Sequence, residues 1–169
     1  DLGYYYGNID GIIGSQSVQA IKNFQRDYGL TVDGIVGPNT LKALGLSSSV
    51  SYSSSDLYLL AKCVHAEARG EPYVGQVAVA AVILNRVKSP EFPNTIAGVI
   101  YQPWAFTAVN DGQINLEPND TAYSAAKDAL NGWDPSYGCL YYYNPETATS
   151  QWIWSRKTVV TIGKHVFAI

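Results

Sequence analysis

Apolar residues recur at helical spacing early in the chain, at Val18, Ile21, Phe24 and Tyr28 and again at Leu41 and Leu44. Each run follows a matched turn, "IDGIIGSQS" at 9–17 and "VDGIVGPNT" at 32–40, with Asp10 and Asp33 standing 23 residues apart. In each repeat Asp-Gly predicts a tight turn, the second glycine supplies a positive φ, and Ser15, or Pro38 with Asn39, opens the next helix. A tiny helical domain with two matched loops is expected. The pattern then lapses in "SSSVSYSSS", residues 47–55, whose near-uniform serine predicts a flexible linker.

Periodicity resumes with Leu57, Leu60, Ala61 and Val64, a helical face that Ser55 or Asp56 caps and that ends near Ala68, with Gly70 as its stop. Pro72 suits the first turn of a second helix and disfavours a helical conformation at Glu71. The following "VGQVAVAAVILNRV" is apolar almost all round, which predicts a buried central helix. "NTIAGVI" and "NDTAYSAAKDALNGW" predict two more helices, capped by Asn94 and by Asn119 or Asp120, and "TVVTIGKHVFA" predicts a terminal β-hairpin turning at Ile-Gly-Lys. The fold class expected is mainly α with a small β-hairpin.

Composition narrows the setting. Charged residues are 15% of the 169 while aromatics are 12%, including 13 tyrosines, so the surface is polar but weakly charged, as suits an extracellular carbohydrate partner. A net charge of −3 with 11 scattered Lys and Arg offers no basic stripe, and nucleic acid is not expected as a partner. No apolar run approaches the roughly 18 residues of a membrane helix. The chain opens at Asp1 with neither a charged n-region nor an apolar h-region, so a soluble protein is expected, its signal peptide removed. Cys63 and Cys139 have no CxxC spacing or histidine cluster, so neither metal nor cofactor is expected; one disulfide and two buried thiols both remain open.

The candidate chemistry lies in "CVHAEARGEP", residues 63–72. Glu67 and Glu71 are four positions apart yet flank a helix-to-helix junction rather than sharing a face. Glu67 falls in the last turn of the first helix, where the negative end of the dipole favours the neutral acid; Glu71 falls where exposed N–H groups favour the ionised form. Glu67 is the candidate general acid and Glu71 a supporting residue. The purely structural alternatives are an N-cap role for Glu71 and an ion pair of Glu67 with Lys62, His65 or Arg69.

Two further segments, "YQPWAFTAVNDGQ" and "CLYYYNPETATSQWIW", gather aromatic rings beside amides and hydroxyls, the expected lining of a glycan cleft. Trp104, Phe106, Thr107, Tyr143 and Asn144 are the candidate substrate-binding residues, while Trp152 and Trp154 are expected in core or hairpin packing. "NDGQINLEPND" lacks the spacing of a calcium loop.

The doubled D-G-x-x-G and the string "AIKNFQRDYGLTVDGIVGPNTLKAL" resemble the peptidoglycan-binding domain type 1, a three-helix module, across Tyr4 to Leu46. That resemblance implies a glycan-peptide groove near Tyr5 and Tyr6 or the "GPNT" turn. Residues 56–169, through A-E-A-R-G-E and V-I-L-N-R, resemble the catalytic domain of spore cortex-lytic enzymes of the SleB type, in the cell-wall hydrolase family. It implies a lysozyme-like α+β catalytic domain behind a binding module at 1–46 and a linker at 47–55. It also implies an exported monomer acting at the spore cortex, outside the inner spore membrane. The partner implied is cortex peptidoglycan containing muramic-δ-lactam, and the activity is lytic transglycosylation during germination with Glu67 as the catalytic residue. A hydrolytic muramidase or glucosaminidase and a non-catalytic wall-binding protein are the alternatives. A wall amidase or peptidase would need zinc or a nucleophile with its base, for which only His65 and His165 are at hand.

Overall fold

Each Asp-Gly repeat folds as an aspartate-closed turn, in which the Asp10 carboxylate accepts the Ile12 N–H at 2.9 Å and the Asp33 carboxylate accepts the Ile35 N–H at 2.8 Å. The positive φ falls on the first glycine of each repeat, Gly11 at 77° and Gly34 at 75°, not on the second. Gly14 and Gly37 instead are extended N-caps of α1 (Ser15–Asp27) and α2 (Pro38–Ala43). The computed structural model describes residues 2–46 and 52–169. Residues 47–51, which carry most of the expected serine linker, lie outside that range.

The chain divides into two units, residues 1–48 and 49–169. Among the described residues the first unit has two helices where the resemblance implies three, preceded by an irregular segment. Its core is small: Phe24 is buried beneath Tyr4, edge-on at 5.4 Å, and Tyr28, stacked at 4.3 Å. Gln25, fully buried, ties the second turn down. Its amide donates to the Asp33 side chain, the Ile35 carbonyl and Thr40, and its oxygen accepts the N–H groups of Asp33 and Gly34.

In the second unit α3 (Ser54–Ala68) starts at Ser53, whose hydroxyl accepts the Asp56 N–H while the Asp56 carboxylate accepts the Ser53 N–H. This capping box places the N-cap earlier than expected, because Asp56 sits three residues in, where its carboxylate can reach back. Helix α4 (Tyr73–Lys88) is buried from Gly75 through Leu84, being enclosed by α3, α5 (Ile96–Ile100) and α7 (Asp120–Leu130). Each fully buried Leu, Ile or Phe, such as Leu60, Ile83, Ile100 or Phe167, contributes roughly 1.5–3 kcal/mol. The caps of α5 and α7 are Thr95 and Asn119; Asn94 yields to Thr95, whose hydroxyl accepts the Gly98 N–H at 3.0 Å.

The expected hairpin, β2 (Thr158–Ile162) and β3 (His165–Ala168), forms and gains a third antiparallel strand, β1 (Tyr141–Tyr143), in the order β1-β3-β2. Tyr142 pairs with Phe167 and Tyr143 with Val166. Trp152 and Trp154, in the short α8 (Gln151–Trp154), are 51% and 49% exposed rather than in the core. They pack edge-on against Tyr141 and Tyr143, because a four-residue helix beside an edge strand has no second layer to cover it. Cys63 and Cys139 are both buried free thiols, and burial holds Cys63 well above its ordinary pKa and pushes Cys139 up to about 12.

Candidate functional site

Helix α3 delivers Glu67 in its last turn, and the chain leaves the helix through Arg69 as C-cap, the Glu71 N–H returning to the Ala68 carbonyl at 2.9 Å. Gly70 is not needed as a left-handed stop. Glu67 faces a cavity of about 390 Å³ walled by Arg86, Trp104 to Thr107, Tyr142 to Asn144, Thr147 to Ser150 and His165. It is the one carboxylate among those lining residues.

Both oxygens of Glu67 are held by neutral donors. Oε1 accepts the Ala108 N–H at 2.9 Å, one of the N–H groups that α6 (Thr107–Asn110) leaves unpaired in its first turn. Oε2 accepts the Tyr142 hydroxyl at 3.1 Å. The side chains of Lys62, His65 and Arg69 take no part. Burial and the adjacent Glu67 carboxylate push the Tyr142 phenol well up, so it keeps its proton and remains a donor.

Tyr142 owes its place to α4. Asn85 donates to the Cys139 carbonyl at 3.1 Å and to Asp134 at 2.8 Å, while Arg86 Nε donates to the Leu140 carbonyl at 2.7 Å. These bonds dock the segment leading into β1 onto the central helix, which is how V-I-L-N-R meets the site. On the other side of Tyr142 lies His165, 9% exposed, with ring centroids 5.0 Å apart. Burial lowers the pKa of His165, opposed by the Glu71 and Glu67 carboxylates, and its Nδ1 has no hydrogen-bond partner.

Glu71 is turned away from the cavity. Its Oε2 accepts the Lys164 N–H at 2.9 Å in the turn between β2 and β3, and a Cβ at Gly163, whose φ is 59°, would overlap that carboxylate. Pro72, not Glu71, is the N-cap of α4. Glu71 therefore ties the helix junction to the hairpin that carries His165.

The five candidate binding residues all line the cavity, in unlike ways. Trp104 is 87% exposed on a left-handed backbone with φ 63°, and Thr107 is exposed at the start of α6. Phe106 is 3% exposed, its ring beneath the Arg86 guanidinium at 5.3 Å. Tyr143 packs on Trp154, and Asn144 organises its own loop, its side chain accepting the Glu146 N–H. Three further residues of the site, Tyr142, Arg86 and His165, are not among those five candidates. In the first unit a separate cavity of about 370 Å³ includes Tyr5 in its wall, whereas Tyr6 is 93% exposed. Among the described residues no group of three His, Cys, Asp or Glu is placed to hold a metal, and no helix is long and apolar enough to cross a membrane.

Residues 70–168 match the cell wall hydrolase family and residues 1–44 the peptidoglycan binding domain family. The first match begins just beyond Glu67, so the role of that residue rests on its geometry. A spore cortex-lytic enzyme of Bacillus cereus is 46% identical over 98% of this chain and 77% of its own length, and one of Bacillus subtilis is 39% identical over 98% and 82%. The crystal structure of the catalytic domain of Bacillus cereus SleB is 62% identical, covering 70% of this chain and 93% of its own, with a TM-score of 0.67. The catalytic domain of the germination-specific lytic transglycosylase SleB from Bacillus anthracis is 60% identical, covering 72% of this chain and all of its own, with a TM-score of 0.68. Mostly helical, with a three-stranded antiparallel sheet and a cavity built around Glu67, the chain belongs to the cell wall hydrolase family, as an enzyme that carries a peptidoglycan binding domain.

Proposed function

We propose that the protein degrades spore cortex peptidoglycan during germination as a lytic transglycosylase, cutting next to muramic acid and leaving 1,6-anhydro-muramic ends. The observation that carries this reading is a single carboxylate, Glu67, on the cavity wall with a neutral donor on each oxygen. A two-carboxylate glycosidase needs a second acid facing the first across the sugar, and Glu71 is engaged at the hairpin turn instead.

In the first step the Glu67 carboxyl proton passes to the glycosidic oxygen as the bond to C1 breaks, and the leaving sugar departs with its hydroxyl. The carboxylate so formed keeps the Ala108 N–H and the Tyr142 O–H as donors, which stabilises the charge as it develops. In the second step Glu67 removes the proton from the muramoyl C6 hydroxyl while O6 bonds to C1. The carboxyl is restored and no water is consumed.

Trp104 and Tyr143 offer aromatic surface to the sugar faces, and Thr107 and Asn144 offer polar groups at the rim, while Phe106 supports Arg86 from below. Residues 1–46 serve as the peptidoglycan-binding domain, 47–55 as the linker and 56–169 as the catalytic domain. The protein acts after export, at the cortex outside the inner spore membrane, as a monomer. Muramic-δ-lactam would mark the strands it cuts. The test is to digest purified cortex and analyse the soluble fragments by mass spectrometry: anhydro-muramic ends support the reading, and reducing ends replace it with hydrolysis.

A further inference from the structure

Arg86 is 8% exposed and lines the Glu67 cavity. Its Nε bond to the Leu140 carbonyl uses one of five N–H donors, and its guanidinium lies over the rings of Phe92, Phe106 and Tyr141 at 5.1, 5.3 and 5.6 Å. These contacts fix the plane of the group. The terminal nitrogens have no hydrogen bond or carboxylate partner among the described residues, and they are not among the polar atoms sealed away from solvent.

A guanidinium keeps its charge inside a protein, and burying it without an acceptor is costly. Three aromatic faces offset part of that cost and one carbonyl another part. The donors left over open onto the cavity. Their complement comes with whatever fills it.

We propose that the terminal nitrogens of Arg86 bind an acyl oxygen of the glycan and thereby select which sugar lies against Glu67. The proposal rests on the glycan-cleaving reading above. Two parallel N–H groups at the end of a planar fork match the two oxygens of a carboxylate, and either of them can donate to the single oxygen of an amide or lactam carbonyl. Three groups on the glycan present that chemistry: the N-acetyl carbonyl, the lactyl carboxylate of muramic acid, and the carbonyl formed when that lactyl group closes to a lactam.

The experiment uses the full chain with Glu67→Gln, so that ligands stay intact, and titrates three probes. These are chitotetraose, the alternating N-acetylglucosamine and N-acetylmuramic acid tetrasaccharide, and that tetrasaccharide in its lactam form. Adding Arg86→Lys is expected to weaken at least one probe about tenfold or more, and the probe most affected names the oxygen. A carboxylate adds salt dependence to the loss; a neutral carbonyl does not. The guanidinium nitrogen resonances of Arg86, followed by NMR without altering Arg86, are expected to shift with the same probe, which decides the matter if the substituted chain fails to fold. Binding of all three probes within twofold of the parent, with unmoved resonances, overturns the proposal while the glycan-cleaving reading stands. A parent that binds no probe, with a wild type that leaves cortex uncut, overturns both.

Discussion

The Tyr142 hydroxyl donates to Glu67 Oε2 at 3.1 Å across 75 residues of sequence, joining the end of α3 to the edge strand β1. A phenol held protonated beside a carboxylate stabilises that carboxylate without surrendering its own proton. Hydrogen bonds to charged groups are worth about 1.5–3 kcal/mol, so Tyr142→Phe is expected to lower kcat roughly tenfold to a hundredfold and, by leaving Glu67 one donor short, to lower the melting temperature as well. Steady-state kinetics on cortex fragments together with a melting curve check this, and an unchanged kcat removes Tyr142 from the mechanism.

Glu71 holds the Lys164 N–H, and its expected role is positional. Glu71→Ala is expected to destabilise the catalytic unit by about 1–2 kcal/mol, as a lost bond to a charged acceptor does, whereas Glu71→Gln keeps an oxygen there and most of the activity. Gly163→Ala should damage the same contact from the other side, because its φ of 59° and the overlap with Glu71 both oppose a side chain. Denaturation midpoints read these effects. A Glu71→Gln chain with wild-type stability and no activity would return Glu71 to the chemistry.

His165 sets a pH dependence of stability. Burial lowers its folded pKa below the ordinary value, the carboxylates of Glu71 and Glu67 acting in the opposite sense. The unfolded chain therefore binds more protons than the folded one below about pH 6.5, and stability falls as pH drops from there toward the folded pKa. His165→Phe, which keeps a ring against Tyr142 and Phe167, is expected to flatten that part of the curve. Equal slopes for the two chains in urea titrations at stepped pH would contradict it.

Trp104 stands 87% exposed with φ 63°, a conformation that a tryptophan holds only at some cost. Trp104→Ala is expected to raise KM about fivefold to tenfold, in line with the worth of a lost aromatic contact, and to leave the melting temperature unchanged. If KM holds while stability falls, Trp104 is a packing residue.

Much of this architecture was readable because local patterns and tertiary packing agree. Helix α4 is apolar almost all round and is buried from Gly75 through Leu84, and Glu67 emerges at the junction that Pro72 imposes. The matched turns were equally plain, though Gln25, which pins one of them, looked like any polar helical residue. Tyr142 was hidden among three consecutive tyrosines, since only its pairing with Phe167 places it beside a glutamate 75 residues back. Arg86 and His165 are polar residues in apolar runs, and burial alone distinguishes them from surface residues. Trp152 and Trp154, expected in core or hairpin packing, lie half exposed against the tyrosines of β1, since a short helix at a sheet edge has no core to offer.

The central claim is that Glu67 moves both protons of a reaction in which water takes no part. Digesting purified cortex in ¹⁸O-labelled water with the wild type and with Glu67→Gln, and weighing the new glycan ends by mass spectrometry, tests it most directly. The account predicts unlabelled 1,6-anhydro-muramic ends from the wild type and no fragments from the substituted chain. Labelled reducing ends, or anhydro ends released equally well by Glu67→Gln, would contradict it.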